Sequence, residues 1–163
     1  MLDSCFGTSR FIKTDIDMKA NELMIGDWVY CNYPSIKKNV RVDQIRRGGD
    51  DELKIVIVDV LPLVFTPEDI DPVPLTPEIL KKNRWWKCNE DNEDGTTQYE
   101  MDEGNINYDL WLPSDKFPGL FGCRRRWEGL TQFYEMVNEL PCSFVHQLQH
   151  ALRLCGIEKE IEL

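Results

Sequence analysis

One stretch constrains this chain more than any other: Ser143 to Gly156, SFVHQLQHALRLCG. Phe144 or Val145, Leu148, Ala151, Leu152 and Cys155 recur at three- and four-residue steps. That period predicts an amphipathic helix with one apolar stripe. Ser143 is placed to cap it, and Gly156 to stop it in the left-handed conformation. His146, Gln147, Gln149, His150 and Arg153 fall on the other face. A lone helix of this length is marginal in water, so the stripe must dock on a sheet.

The rest of the chain supplies strands. Ile25-Gly26-Asp27 reads as a turn into a strand at Trp28–Cys31. Val40, Val42 and Ile45 give partial alternation for a second strand at 39–45, followed by a turn at 46–51. Leu53 to Val60 is a nearly continuous apolar run bounded by turn residues, which favours a third strand. Pro62, Pro67, Pro72 and Pro74 predict that 61–75 is extended and irregular, with a short strand at Val64-Phe65. Thr76-Pro77-Glu78 opens a short helix to Lys82, with Leu75 and Leu80 spaced as a hydrophobic staple. Beyond it, 84–88, 98–101, 106–112 and 120–127 read as strands. Residues 131–140 fit either a helix or a two-sided strand; strand is preferred because the neighbouring hairpins need partners.

The expected fold class is α+β. An N-terminal SH3-like small β barrel (18–75) leads through a short linking helix to an antiparallel sheet. One C-terminal amphipathic helix, 143–155, packs on that sheet within an α+β unit at 76–163. Residues 1–17 show no period and are expected to be an N-terminal extension, or to add an edge strand through Phe11 and Ile12.

Charge and cysteine usage narrow the function classes. The net charge of −10 opposes general binding to phosphate backbones. The acids are concentrated after residue 84, whereas 18–83 is nearly balanced. No apolar run is long enough to span a bilayer, and the N-terminus does not read as a secretory signal. The expected location is cytoplasmic. The six cysteines form no CxxC pair, so free or buried thiols are expected rather than a zinc knuckle or a disulfide framework.

Candidate sites are few. His146 and His150 share a helix face at i and i+4, with Cys142 one turn earlier, but HQLQH lacks the glutamate of a zinc-protease helix. No metal is therefore expected. The alternative is that both imidazoles, with Gln147 and Gln149, lie at the helix–sheet border and hydrogen-bond to loop carbonyls. The acidic loop at 90–95 would put Met101 where a calcium loop needs glutamate, so it reads as a solvated hairpin tip. Lys37, Lys38, Arg41, Arg46 and Arg47 crowd one predicted hairpin and form the best nucleic-acid candidate; Arg124–Arg126 are expected to pair with nearby acids. The tryptophans read as core and sheet-face residues. No serine, cysteine or lysine has a recognisable activating neighbour, and no cofactor is expected.

Three stretches, ELMIGDWV, DIDPVPLTPEIL and FVHQLQHALRLCGIEKEIEL, in this order, carry a resemblance. They are similar to segments of small uncharacterised proteins of bacterial mobile elements and prophages. Those proteins have an "LxIGNxV"-like opening, an "IxPIPLTxExL" segment and a "YVHQLQ" helix. The likeness covers Met18 to Leu163, its motifs are confined to the three stretches, and Phe144 stands where the pattern favours tyrosine. It implies a bacterial, phage- or transposon-associated accessory protein and carries over no activity. The expected function is a non-enzymatic protein-binding or adaptor module. The alternatives are a nucleic-acid-associated regulator using the basic hairpin at 37–47, and a metal-dependent enzyme built on His146 and His150.

Overall fold

Val40, Val42 and Ile45 do not share one parity along a strand, yet all three face one core. The strands around them explain how. β1 (Trp28–Tyr33) and β3 (Lys54–Val58) flank β2 (Ile36–Arg47), and the β2–β3 register slips by one residue between Val42 and Gln44. The extra residue is a bulge, which reverses the alternation of side chains beyond it. Val40 and Val42 before the bulge, and Ile45 after it, thus join Leu23, Val29, Cys31, Phe65 and Ile70 in one apolar cluster. The computed structural model describes residues 22–47, 54–58, 64–88, 95–103, 106–115, 118–125, 135–136 and 140–163. The expectations for 1–17, for 89–94 and for Arg126-Trp127 lie outside these residues.

β4 (Val64–Phe65) pairs with β3, and β5 (Ile70–Pro72) pairs with β1, so the sheet runs β4-β3-β2-β1-β5. Its two edges are joined by Thr66 and a single 3-10 turn, Pro67–Asp69. That link spans only about 13 Å, whereas the edges of five flat strands would lie about 19 Å apart. The sheet must therefore curl. Among the described residues β4 and β5 do not pair, so the curled sheet is open, and the closed SH3-like barrel expected for 18–75 is not formed by hydrogen bonds. The proline-rich segment is more regular than its prolines suggest: Pro72 sits in β5, an edge strand, where a missing N–H is tolerated. Asp69 fixes the turn by accepting hydrogen bonds from the Thr66 N–H at 3.0 Å and hydroxyl at 2.9 Å.

α1 (Pro77–Lys82) begins as its sequence predicts. Thr76 Oγ1 accepts from the Ile79 N–H at 3.3 Å, and Leu75 and Leu80 are both buried. The helix ends through Arg84, which holds the left-handed conformation at φ 66°; Trp85 N–H reaches back to the Leu80 carbonyl at 3.0 Å. A second antiparallel sheet follows: β6 (Trp86–Lys87), β7 (Thr97–Glu103), β8 (Ile106–Leu112), β9 (Leu120–Arg125), β10 (Glu135–Met136) and β11 (Leu140–Pro141). Its order is β10-β9-β8-β7-β6, with β11 also on β9. Within 131–140, the residues described are strand, as preferred from the pattern.

α2 (Val145–Leu154) lies between the sheets. Val145, Leu148, Ala151 and Leu152 enter a core with Tyr99, Met101, Tyr108, Leu110 and Phe121 of the second sheet. Trp28 and Tyr30, on the face of β1 opposite the first cluster, pack against the same core. The helix starts one residue later than a Ser143 cap predicts, with Phe144 in the capping position. Ser143 and Phe144 run against 73–75: Leu75 N–H donates to the Ser143 carbonyl at 3.1 Å and Val145 N–H to the Val73 carbonyl at 2.8 Å. The Ser143 side chain does not cap the helix but accepts from the Gly119 N–H at 3.2 Å, while Gln147 Oε1 reaches back to accept from the Ser143 and Phe144 N–H groups at 2.8 and 3.3 Å. Gly156 closes the helix at φ 77°, as predicted.

Candidate functional site

The polar face of α2 is not a solvated face. His146 is 3% exposed and Gln149 5%. Both meet the turn that leads into β1. Gly26, at φ 89°, lets that turn close tightly, and its N–H donates to the Val42 carbonyl at 2.7 Å. Gln149 then pairs with the turn as a strand residue would. Its Oε1 accepts from the Trp28 N–H at 3.0 Å, and its Nε2 donates to the Gly26 carbonyl at 3.1 Å.

Between those two contacts sits Asp27, wholly buried. One carboxylate oxygen accepts from the Met24 N–H at 2.7 Å and lies 2.6 Å from His150 Nε2; the other accepts from Arg153 at 2.9 Å. A buried carboxylate is tolerable only with such partners. Met24 and Asp27 belong to the turn, which their own backbone bond closes at 3.2 Å, and His150 and Arg153 come from α2.

His146 lacks such a partner. Its Nδ1 is buried with no hydrogen-bond partner among the described residues. The ring stacks on Phe144 at 5.9 Å and meets His150 edge-on at 5.9 Å. Burial holds its pKa down to about 4, the His150 ring adding slightly and Asp27 opposing, so it is neutral at ordinary pH. His146, His150, Gln147, Glu22, Leu23 and Met24 line an open cleft of about 320 Å³. Met24, which lines it, and the next residue, Ile25, are 50% and 64% exposed.

The residues singled out from sequence divide into two groups. His146, Gln147, Gln149 and His150 do come together, at the helix–sheet border. Gln149 bonds to a loop carbonyl as foreseen, whereas His150 meets a carboxylate and Gln147 serves its own helix. His150 Nε2 is taken up by Asp27. Among the described residues no group of three or more His, Cys, Asp or Glu side chains could hold a metal ion. Cys142 is fully buried, and burial pushes its thiol up to about 12.

Lys37, Lys38, Arg41, Arg46 and Arg47 do not form one patch. All lie on β2, the first arm of the β2–β3 hairpin, so its ends are about 30 Å apart. Alternation and the bulge put Lys37, Arg41 and Arg46 on one face, Lys38 and Arg47 on the other. Arg41 is engaged with Glu160 at 3.1 Å and lies over the Trp28 ring, and Arg46 bonds to Gln44.

Sequence reasoning missed Asp27 and the role of Arg153. Asp27 looked like an ordinary turn residue. The available signal was a helix face with two histidines, two glutamines and an arginine, richer in side-chain donors and acceptors than in full charges.

The three stretches that carry the resemblance meet here. The turn before β1 bonds to α2, the 73–75 segment pairs with 143–145, and the tail after α2 returns to β1, where Trp28 Nε1 donates to the Ile161 carbonyl at 2.8 Å. Among the described residues no helix is long and apolar enough to cross a membrane. No family model, curated protein or solved structure matches this chain.

Proposed function

We propose that this chain is a non-enzymatic protein-binding module, a cytoplasmic accessory protein of a bacterial mobile element. One observation carries the reading. The groups that a catalyst would present, Asp27, His150, Arg153 and Gln149, are already bonded to one another or to backbone, while Met24 and Ile25 stand exposed beside the cleft. Exposed apolar side chains beside a paired polar cluster suit the capture of a partner's side chain. The net charge of −10 favours a partner with basic surface. In this reading the curled, SH3-like sheet is a scaffold that presents the Glu22–Asp27 turn.

The test is affinity capture from host extract with wild type and a Met24→Glu/Ile25→Glu variant, with and without nuclease. The expected result is a protein captured by wild type in both conditions and lost by the variant, whose thermal midpoint is unchanged. Capture that disappears on nuclease treatment would favour the nucleic-acid alternative. So would micromolar binding of labelled DNA or RNA at low salt that is lost on charge reversal at Lys38 and Arg46, because each neutralised phosphate releases a counterion.

A further inference from the structure

The cleft beside α2 is lined by a buried ring whose hydrogen-bonding capacity is unspent. His146 is 3% exposed, and its Nδ1 has no partner among the described residues. An orphaned buried N–H is harder to tolerate than a bare acceptor, so the ring proton belongs on Nε2. The ring lines the cleft of about 320 Å³, and Nε2–H is what it can offer there. Burial keeps the ring neutral, with its pKa down at about 4. Two neighbouring polar atoms are already engaged: His150 Nε2 lies on Asp27, and Gln147 Oε1 accepts from the Ser143 and Phe144 N–H groups. Glu22, which is exposed, adds a carboxylate to the lining, and Leu23 and Met24 add apolar wall.

We infer that this cleft takes the tyrosine side chain of a partner protein. The inference rests on the binding role proposed above and names what the partner must present. The phenol oxygen accepts from His146 Nε2–H, its own hydrogen goes to the Glu22 carboxylate, and its ring covers the exposed Met24 side chain.

Other side chains fit less well. Phenylalanine would cover Met24 but leave the imidazole N–H shut in without an acceptor, which costs more than the bond itself contributes. Aspartate or glutamate could accept from His146, but it would face Glu22, and a neutral ring offers no opposite charge in return. A lysine ammonium suits Glu22 but has no lone pair for the Nε2–H. Serine, threonine and the amides can satisfy both polar groups but bring little apolar surface. A phenol has an apolar body and a polar tip that both donates and accepts. The cleft is at the small end of ligand pockets, which suits one side chain rather than a length of chain.

The experiment titrates the full chain with N-acetyl-tyrosinamide and N-acetyl-phenylalaninamide and follows the imidazole nitrogen and carbon signals of His146 by NMR. The expected result is a ring proton on Nε2, a Kd for the tyrosine probe in the millimolar range, and binding about 5–10-fold tighter than for the phenylalanine probe. N-acetyl-lysinamide should bind more weakly than either. In His146→Phe, which keeps a ring for Phe144 to stack on, the preference for tyrosine, read from the Met24 methyl signal, should fall to about one. Should that variant fold poorly, the methyl ether of the tyrosine probe, which has no hydrogen for Glu22, should bind wild type no better than the phenylalanine probe. Equal binding of the two aromatic probes, tighter binding of the lysine probe, a ring proton on Nδ1, or no binding of the tyrosine probe at its solubility limit would each overturn the inference. None of these results touches the binding role itself, which stands or falls on capture by the Met24→Glu/Ile25→Glu variant.

Discussion

Replacing Asp27 by alanine tests whether the polar face of α2 is truly a second docking surface. The carboxylate is wholly buried and accepts from Met24 N–H, His150 and Arg153 at 2.7, 2.6 and 2.9 Å. Hydrogen bonds to a charged group contribute about 1.5–3 kcal/mol each, and breaking a buried pair costs about 3–5 kcal/mol. The full sum does not apply, because the His150 and Arg153 side chains are 21% and 36% exposed and can regain water. A loss of about 3 kcal/mol is therefore expected for Asp27→Ala in urea unfolding at neutral pH. Asp27→Asn keeps one oxygen for the Met24 N–H and should cost less, about 1–2 kcal/mol. Arg153→Ala leaves one buried oxygen of Asp27 without its partner and should cost about 1–3 kcal/mol. Because the residues share one network, Asp27→Ala with His150→Ala should cost less than the sum of the two by more than about 0.5 kcal/mol. A loss under about 1 kcal/mol for Asp27→Ala, additive with His150→Ala, would refute the reasoning: the carboxylate would then be solvated and the helix held by its apolar stripe alone.

His146, buried with its pKa near 4 against 6.5 when free, stays neutral while the unfolded chain takes up a proton, so stability should fall as pH drops from about 6.5 to about 4. The contribution is roughly 3 kcal/mol; urea midpoints of wild type and His146→Gln should diverge across that window, and parallel curves would exclude a neutral buried ring. Arg84 holds a left-handed conformation that costs a non-glycine residue about 1 kcal/mol, so Arg84→Gly should gain about 0.5 kcal/mol or more after the extra entropy of the unfolded chain. Thermal unfolding reads this, and a clear loss would mean that the arginine side chain holds the helix end. Leu148→Ala and Leu152→Ala should each cost about 2–5 kcal/mol, since both side chains are essentially unexposed; a loss under half that range in urea would place the apolar stripe elsewhere.

Periodic features were legible in the sequence. The apolar stripe of α2, the Thr76-Pro77 start of α1 and the strand at Ile106–Leu112 follow from local pattern and sit where the pattern puts them. Parity alone could not place Val40, Val42 and Ile45, because a bulge depends on the register of a partner strand. Nor could Phe144 be recognised as the capping residue, since the backbone on either side of it is claimed by Val73 and Leu75, far away in sequence. The candidate site was half legible for the same reason. A helical wheel assigns His146 and Gln149 to water because they are polar. Whether a polar face is hydrated or paired is decided by what it meets, and here it meets one carboxylate and two backbone groups of a distant turn.

The same pairing has a consequence for synthesis. Trp28 and the glutamine that bonds to its N–H are separated by 121 positions. At translation rates of about 5–20 residues per second, the Ile25–Asp27 turn waits roughly 6–24 s before the helix that covers it exists. During that interval the first sheet can gather its own cluster around Val29, Val40 and Phe65. Its outer face, with Trp28 and Tyr30, stays bare, and the carboxylate of Asp27 has no cation to meet. The arrival of α2 is therefore what covers that face and supplies the buried carboxylate with its side-chain partners.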